Sequence, residues 1–514
     1  MKEEKPKEKI LDKYVLSSDK IRLDVEIVRS PDEFVPVYKL KIPKLERGTV
    51  VMLEDIKDTV ISQIPIRVTE LLNPKSLENL KRKFYVKSLE LMEKRLPKVP
   101  HEKKQFLAST LVQEMLGLGR LEALLSDGNL EEVVINSSKE PVWIYHKKHG
   151  WLKTNIIIST ESQIQNYAAG IARRVGRQIT TLHPLLDAHL ISGDRVNATL
   201  FPVSTLGNTL TIRMFRRKPW TITEFIKNKT ISSEIAAFFW LAIQYEMSMI
   251  ISGGTASGKT SLLGSVLPFI QPNQRVITIE DTRELNLPKF LHWVPLTTRE
   301  PNPEGKGEVS MLDLLVNSLR MRPDRIIVGE IRRQRQAEVL FEAMHTGHSV
   351  YATLHADTVE QSYRRLINPP INVPETLLEA LDLIVAVFRD RRSGIRRIFQ
   401  VAELLPASKS EGKGTSLRIL FRWNIRKDKI EKYQESYRFM KELEMHTGMS
   451  VKEIAGDLKK KEKILDWMVK NDVNTVDGVG KLVAEYYRDS GNILKIINKD
   501  EKAEKLIPKN LLEG

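Results

Sequence analysis

The chain has 514 residues, long enough for two or three domains with sizeable cores. With 41% hydrophobic and 29% charged residues it is no disordered chain, and the lack of cysteine excludes disulfides and thiolate zinc sites. A formal charge of +15, from 81 basic and 66 acidic residues, suits an anionic partner (nucleic acid, a membrane surface, an acidic protein face) or simply a surface kept soluble by lysine.

Residues 1–19 are charged and aperiodic and read as a mobile arm without the apolar core of a signal peptide. Short β-like runs at 25–28 and 35–42 precede a charged helix near 77–94, then a helix over 105–118 and an apolar strand over 132–135. Strands at 143–145 and around Trp151 flank a turn at His149-Gly150, and 162–175 has the spacing of an amphipathic helix. Two strands, 194–202 and 209–215, are joined by a Gly207-Asn208 turn signal. Residues 20–215 therefore read as an N-terminal α+β domain. The run Arg216-Arg217-Lys218-Pro219 breaks the pattern, and 216–230 reads as a linker or hinge. Beyond it strands at 247–252, 275–280, 325–329, 349–354 and 382–388 alternate with helices, the pattern of a mostly parallel sheet covered on both faces. A hairpin, 395–405 and 417–425, surrounds a polar loop at 408–415, and from about 430 the pattern is helical. The most hydrophobic run, 235–251, is broken by Gln244 and Glu246 and reads as a buried helix, not a membrane span. The expectation is a cytoplasmic protein whose membrane association is peripheral.

Gly253-Gly254-Thr255-Ala256-Ser257-Gly258-Lys259-Thr260 fits the phosphate-loop pattern G-x-x-x-x-G-K-[ST] without a mismatch, between a short apolar strand, 247–252, and a helix read from Ser261 to Phe269. Glycine lets backbone N–H groups turn inward around a β-phosphate, and the helix N-terminus adds its positive end. Lys259 would reach the β- and γ-phosphates and the Thr260 hydroxyl would hold Mg²⁺. Hydrolysis further needs a water-positioning group, a metal-side acid and positive charge. Glu280 ends the strand 276–279, where the carboxyl ends of parallel strands line the ligand crevice; its plain alternative is a solvated strand-end acid. Glu330 follows the strand 325–328 and reads as the acid on the metal side, direct or through water.

His345, His348 and His355 fall in one segment without a carboxylate or thiol ligand set, and the seven-residue step sends His348 and His355 to opposite faces of a strand. A hydrogen-bonding role near the γ-phosphate, or at a subunit boundary, stands beside that of a satisfied core histidine. Arg195 and Arg213, on the two strands before the linker, read as arginine fingers or as salt-bridged strand residues. Arg389, Arg391, Arg392, Arg396 and Arg397 surround a turn, either a solvated hairpin end or a dock for anionic lipid or an acidic loop.

Four blocks in this order resemble the type II/IV secretion ATPases that drive pili, secretion pistons and archaeal flagella. GDRVNATLFP and TIRMFRR resemble the arginine-bearing segment and GGTASGKT the phosphate loop. VITIEDTREL resembles the acidic box; MRPDRIIVGEIR and AMHTGHSVYATLHAD resemble the metal-acid strand and histidine box. The resemblance covers about residues 100–410. RQITTLHPLLDAHLISGDRVNATLFP and the helical tail are most similar to the archaellum motor ATPase, with the type IV pilus assembly ATPase as the alternative.

It implies a RecA-like, mostly parallel α/β ATPase domain over 231–514 with a helical tail, an α+β domain carrying the arginines, and a homo-hexameric ring. ATP and Mg²⁺ would be the cofactors. Lys259, Glu280, Glu330, Arg195, Arg213, His348 and His355 would take catalytic roles, with the nucleotide along 253–261 and Mg²⁺ on Thr260 and Glu330. The implied partners are a polytopic membrane platform protein, accessory cytoplasmic archaellum proteins and acidic lipids, at the inner face of the cell membrane. A nucleic-acid translocase is the reading from another class, disfavoured by the lack of OB-type, helix-turn-helix or aromatic–basic stacking segments. A nucleotide-gated scaffold is the third.

Overall fold

The computed structural model describes residues 8–18, 21–41, 47–65, 74–190, 193–215, 218–301, 304–390, 392–406 and 416–512. The chain divides into two compact units, one carrying 1–217 with 302–304, the other 218–301 and 305–514.

The first unit holds nine strands: β1 (Lys9–Ser18), β2 (Ile21–Arg29), β3 (Val37–Lys41), β4 (Leu130–Ile135), β5 (Pro141–His146), β6 (Gly150–Ile157), β7 (Leu185–His189), β8 (Arg195–Thr199) and β9 (Thr209–Arg213). They form one sheet in the order β1-β2-β3-β6-β5-β4-β9-β8-β7, antiparallel except where β3 meets β6. The helix Glu161–Arg174 starts on Thr160, whose hydroxyl accepts the Gln163 N–H. It buries Ile164, Ala168 and Ile171, spaced four and three apart on one face, in the core that the sheet supplies. Three helices, Arg47–Gln63, Pro74–Arg95 and His101–Leu116, share a separate core around Ile56, Phe84 and Leu111.

Lys9–Ser18 corrects the expectation of a mobile arm, of which residues 1–7 and 19 lie outside the described residues. These residues pair along their length with β2. Leu16 is buried and the Tyr14 hydroxyl donates to Asp127 at 2.6 Å, while Lys13 and Val15 point out. Charge on the outer face hides the period-2 signal. The expected linker is corrected in a similar way. Ile222–Lys227 is a helix with a Thr221–Glu224 capping box, and Thr223 donates to the Val473 carbonyl at 2.6 Å, so this stretch is built into the second unit.

The second unit holds β10 (Met249–Gly253), β11 (Arg275–Glu280), β12 (His292–Thr297), β13 (Arg325–Val328), β14 (Ser349–Leu354), β15 (Leu383–Arg389), β16 (Arg396–Leu405), β17 (Ser416–Asn424) and β18 (Lys429–Lys432). Their order is β12-β11-β13-β14-β10-β15-β16-β17-β18, parallel from β12 through β15 and antiparallel beyond. This is the expected RecA-like α/β arrangement. Every residue of β10, β13 and β14 is buried, as befits strands covered on both faces. Ile250 and Ile251 point to opposite faces and join different cores. Past residue 430 the chain first completes β18 and then turns helical; the polar loop expected at 408–415 lies outside the described residues. None of the described helices is long and apolar enough to cross a membrane.

Candidate nucleotide site

The loop after β10 has a backbone that its glycines permit. Gly253 takes φ 158° and Gly258 φ 97°, and a Cβ on Gly253 would sit 2.5 Å from the Val387 carbonyl oxygen of the adjacent β15. Gly258 caps the helix Lys259–Val266, so the loop amides and the helix N-terminus face the same space. Lys259 is 8% exposed, and its Nζ donates to the Gly254 carbonyl at 3.1 Å. Burial lowers its pKa, opposed by the charges of Glu330, Asp357 and Glu284. Thr260 and Ser261 occupy the first turn of that helix.

The parallel register brings the ends of four strands to one edge. Gly329 N–H donates to the Ile279 carbonyl at 2.9 Å and Ile331 N–H to that of Thr353 at 3.0 Å, while Leu354 pairs with Ser252. Four catalytic candidates therefore gather where β10, β11, β13 and β14 end: Lys259, Glu280, Glu330 and His355. The Glu330 carboxylate accepts from Arg332 at 2.9 Å and lies 3.4 Å from His355 Nε2. His355 Nδ1 lies 3.5 Å from Lys259 Nζ. Burial lowers the His355 pKa and the Lys259 charge lowers it further, which favours a neutral ring accepting from lysine and donating to Glu330. Arg332 also reaches Asp281 at 2.7 Å, so Asp281, Arg332, Glu330, His355 and Lys259 form one row of alternating charge and hydrogen bonding. Sequence reasoning passed over Arg332 and Asp281, although both adjoin residues it chose, Asp281 directly after Glu280 and Arg332 two past Glu330.

Glu280 stands apart from that row. It is 2% exposed; its Oε1 accepts the backbone N–H groups of Glu284 and Leu285 at 2.8 and 3.0 Å, and its Oε2 is buried without a partner. Burial pushes the carboxyl up to about 7. Gly329 lies against it, since a Cβ there would be 3.6 Å from Glu280 Cγ. An unsatisfied buried carboxylate oxygen, with Glu330 on the neighbouring strand end and the Thr260 hydroxyl in the first helical turn, fits a bound Mg²⁺ and the water it orders. Among the described residues no group of three or more histidine or acidic side chains could hold a metal unaided, so phosphate oxygens would complete its shell.

The structure does not bring His348 to this edge. It precedes β14 while His355 follows it, and its Nδ1 lies 3.1 Å from the Thr346 hydroxyl and 3.2 Å from the Ala343 carbonyl. A six-residue extended strand separates the two histidines lengthwise, so the expectation that they would face opposite sides misses the larger separation along the strand. His345 lies by the Leu377 carbonyl at 3.2 Å. Arg195 and Arg213 belong to the first unit, where they are direct partners across β8 and β9, and Arg213 also opposes Glu132 of β4.

The family model of the type II/IV secretion system protein matches residues 163–391, which hold all of these candidates. An uncharacterized protein of Methanocaldococcus jannaschii is 34% identical over 412 residues, 79% of this chain and 73% of that protein. The chain belongs to the type II/IV secretion system protein family. This family member is also 31% identical to a Mycobacterium tuberculosis protein named for conjugal transfer, over 58% of this chain and 87% of that one. The VirB11 ATPase of the Brucella suis type IV secretion system is 25% identical, covering 55% of this chain and 92% of that one, with a TM-score of 0.28.

Proposed function

We propose that the chain is a Mg²⁺-dependent ATPase that works as a homo-hexameric motor against a polytopic membrane platform protein, at the inner face of the cell membrane, to build or turn an archaellum. The observation that carries the ATPase reading is the meeting of Lys259, Glu280, Glu330 and His355 at one edge of a parallel sheet, beside a phosphate loop of fitting backbone.

In this reading the loop amides and Lys259 hold the phosphates, and Thr260 and Glu330 hold Mg²⁺, which supplies charge to the phosphate oxygens. Glu280 orients the attacking water and takes its proton, as a buried carboxyl near 7 suits a base at neutral pH. His355 relays the charge state between Lys259 and Glu330. Arg195 and Arg213 meet the γ-phosphate, and loss of that phosphate on hydrolysis releases them, which turns cleavage into movement.

Relatives named for conjugal transfer and type IV secretion favour a second output, pilus assembly or secretion, by the same engine. Two measurements test the reading. ATP turnover of K259A should fall to background; turnover at the wild-type rate ends the site assignment. Proteins that copurify at native levels decide the output: an archaellum platform supports the first reading, pilus machinery the second, and DNA that stimulates turnover with a steep salt dependence overturns both.

A further inference from the structure

Of the basic run around the β15–β16 turn, Arg391 lies outside the described residues, and Arg396 and Arg397 do not share one surface. Arg397 turns inward and its guanidinium pairs with Asp428 at 2.7 Å. Arg396, one residue earlier on β16, points the other way and reaches the phosphate loop. Its Nε donates to the Ala256 carbonyl at 3.3 Å, and its Cδ lies 3.6 Å from where a Cβ of Gly258 would be. The side chain thus lies along the loop, stem on Gly258 and head on the apex.

Ala256 is the loop residue most in need of support. It has φ 59°, a left-handed conformation that a residue with a Cβ adopts at a cost. In a trans peptide the carbonyl and the following N–H point in opposite directions. A carbonyl of Ala256 held by Arg396 therefore turns the Ser257 N–H the other way, into the loop. There it donates to the Gly254 carbonyl at 3.3 Å, the oxygen that Lys259 Nζ also reaches. Two donors that a phosphate would use thus converge on one point, and Arg396 fixes the direction of one of them.

The hairpin that presents Arg396 is itself braced. Asp390 accepts from the N–H groups of Arg392 and Ser393 at 3.0 and 3.3 Å and from the Ser393 hydroxyl at 2.6 Å. The Asp390 N–H donates back to the Ile395 carbonyl at 2.9 Å. The strand before this turn, β15, pairs Val387 with Gly253 at the start of the loop. Arg396 is therefore presented by a strand, β16, whose neighbour β15 is already in register with β10.

We propose that Arg396 is a positioning residue of the nucleotide site, which acts through the Ala256–Ser257 peptide to hold the phosphate loop in its binding conformation. This rests on the nucleotide-site reading above. A loop that grips phosphate equally in ground and transition states contributes uniform binding, so the loss appears in KM and in nucleotide affinity, not in kcat.

The test uses the full-length protein and measures dissociation constants for a fluorescent ADP and steady-state ATP turnover. R396M keeps the stem on Gly258 and removes the donor; R396K returns one donor. Expected are a roughly tenfold higher Kd and KM for R396M with kcat within threefold of wild type, and recovery to within threefold in Kd for R396K. Equal Kd and KM for R396M and wild type, while K259A loses binding, overturns the role of Arg396 and leaves the site reading intact. A fall in kcat with KM unchanged also overturns it, as does an R396K no better than R396M. If K259A binds nucleotide as wild type does, the nucleotide site itself fails, and this proposal with it.

Discussion

Replacing Glu280 by glutamine separates what the carboxyl does for the fold from what it does for chemistry. Burial raises its pKa from 4.5 to about 7. At about 1.4 kcal/mol per pH unit, that difference amounts to roughly 3 kcal/mol. The sign follows from the direction. The fold binds the proton more tightly than the unfolded chain does, so this contribution is full below pH 4.5 and is lost as pH rises through 7. Above pH 7 the wild type holds a buried carboxylate with one oxygen unpartnered, and glutamine escapes that cost.

Glutamine keeps an oxygen to accept from Glu284 and Leu285, but it places an amide NH₂ where Oε2 was. That second effect is independent of pH and cancels when the mutant is compared with wild type at two pH values. Of the roughly 3 kcal/mol, about 2 kcal/mol is lost by the wild type relative to E280Q between pH 5.5 and 8.5. Urea unfolding of both proteins without nucleotide, at those two pH values, reads it directly. A stability difference that stays flat with pH, or that moves toward the wild type at pH 8.5, shows that the carboxyl is ionised in the fold at low cost and refutes the reasoning. The same mutant should bind ATP yet turn it over at least a hundredfold more slowly.

Other perturbations separate the remaining parts. R195A and R213A should each lower kcat by about a thousandfold, with nucleotide Kd changed far less, because they are asked to meet the transition state; unchanged turnover in both removes them from the mechanism. E330Q should raise the Mg²⁺ concentration needed for half-maximal ATPase activity several-fold, and an unaltered Mg²⁺ titration would place Glu330 in a structural role with Arg332. Arg325 is fully buried, donating to Gln274, Ser349, Tyr351 and the Ile243 carbonyl, so R325L leaves several acceptors unpaired and should cost about 3–5 kcal/mol in urea unfolding; a cost under about 1 kcal/mol would show that the acceptors find other donors.

The site was legible in the sequence to the extent that its chemistry is local. A phosphate loop is one contiguous stretch whose glycines, lysine and threonine act at fixed spacing, and the acids at the ends of β11 and β13 sit where parallel strands place ligand groups. The same local reading could not divide the histidines. Seven residues is a face argument on a strand, and the deciding fact is that β14 spans the gap lengthwise, which puts His355 beside Lys259 and leaves His348 at the far end. Nor could it find Arg332, whose role depends on Asp281, just past the end of β11 and 51 positions away.

The elements that were misread share a cause. Lys9–Ser18 and Ile222–Lys227 lie in surroundings rich in charge or proline, so local propensity points away from order. Each also has a distant partner: Tyr14 of the β1–β2 hairpin donates to Asp127, and Thr223 donates to the Val473 carbonyl, 250 residues on. Tertiary hydrogen bonds of that reach leave no trace in periodicity. The basic run at 389–397 follows the same rule from the opposite side. As a string it is five arginines near a turn, with one bland reading and one interesting one, and both treat the run as a unit. Strand alternation breaks that unit. It sends Arg397 to Asp428 and Arg396 to the loop apex, so the meaning of each arginine is set by which face of β16 it occupies and not by the charge of its neighbours.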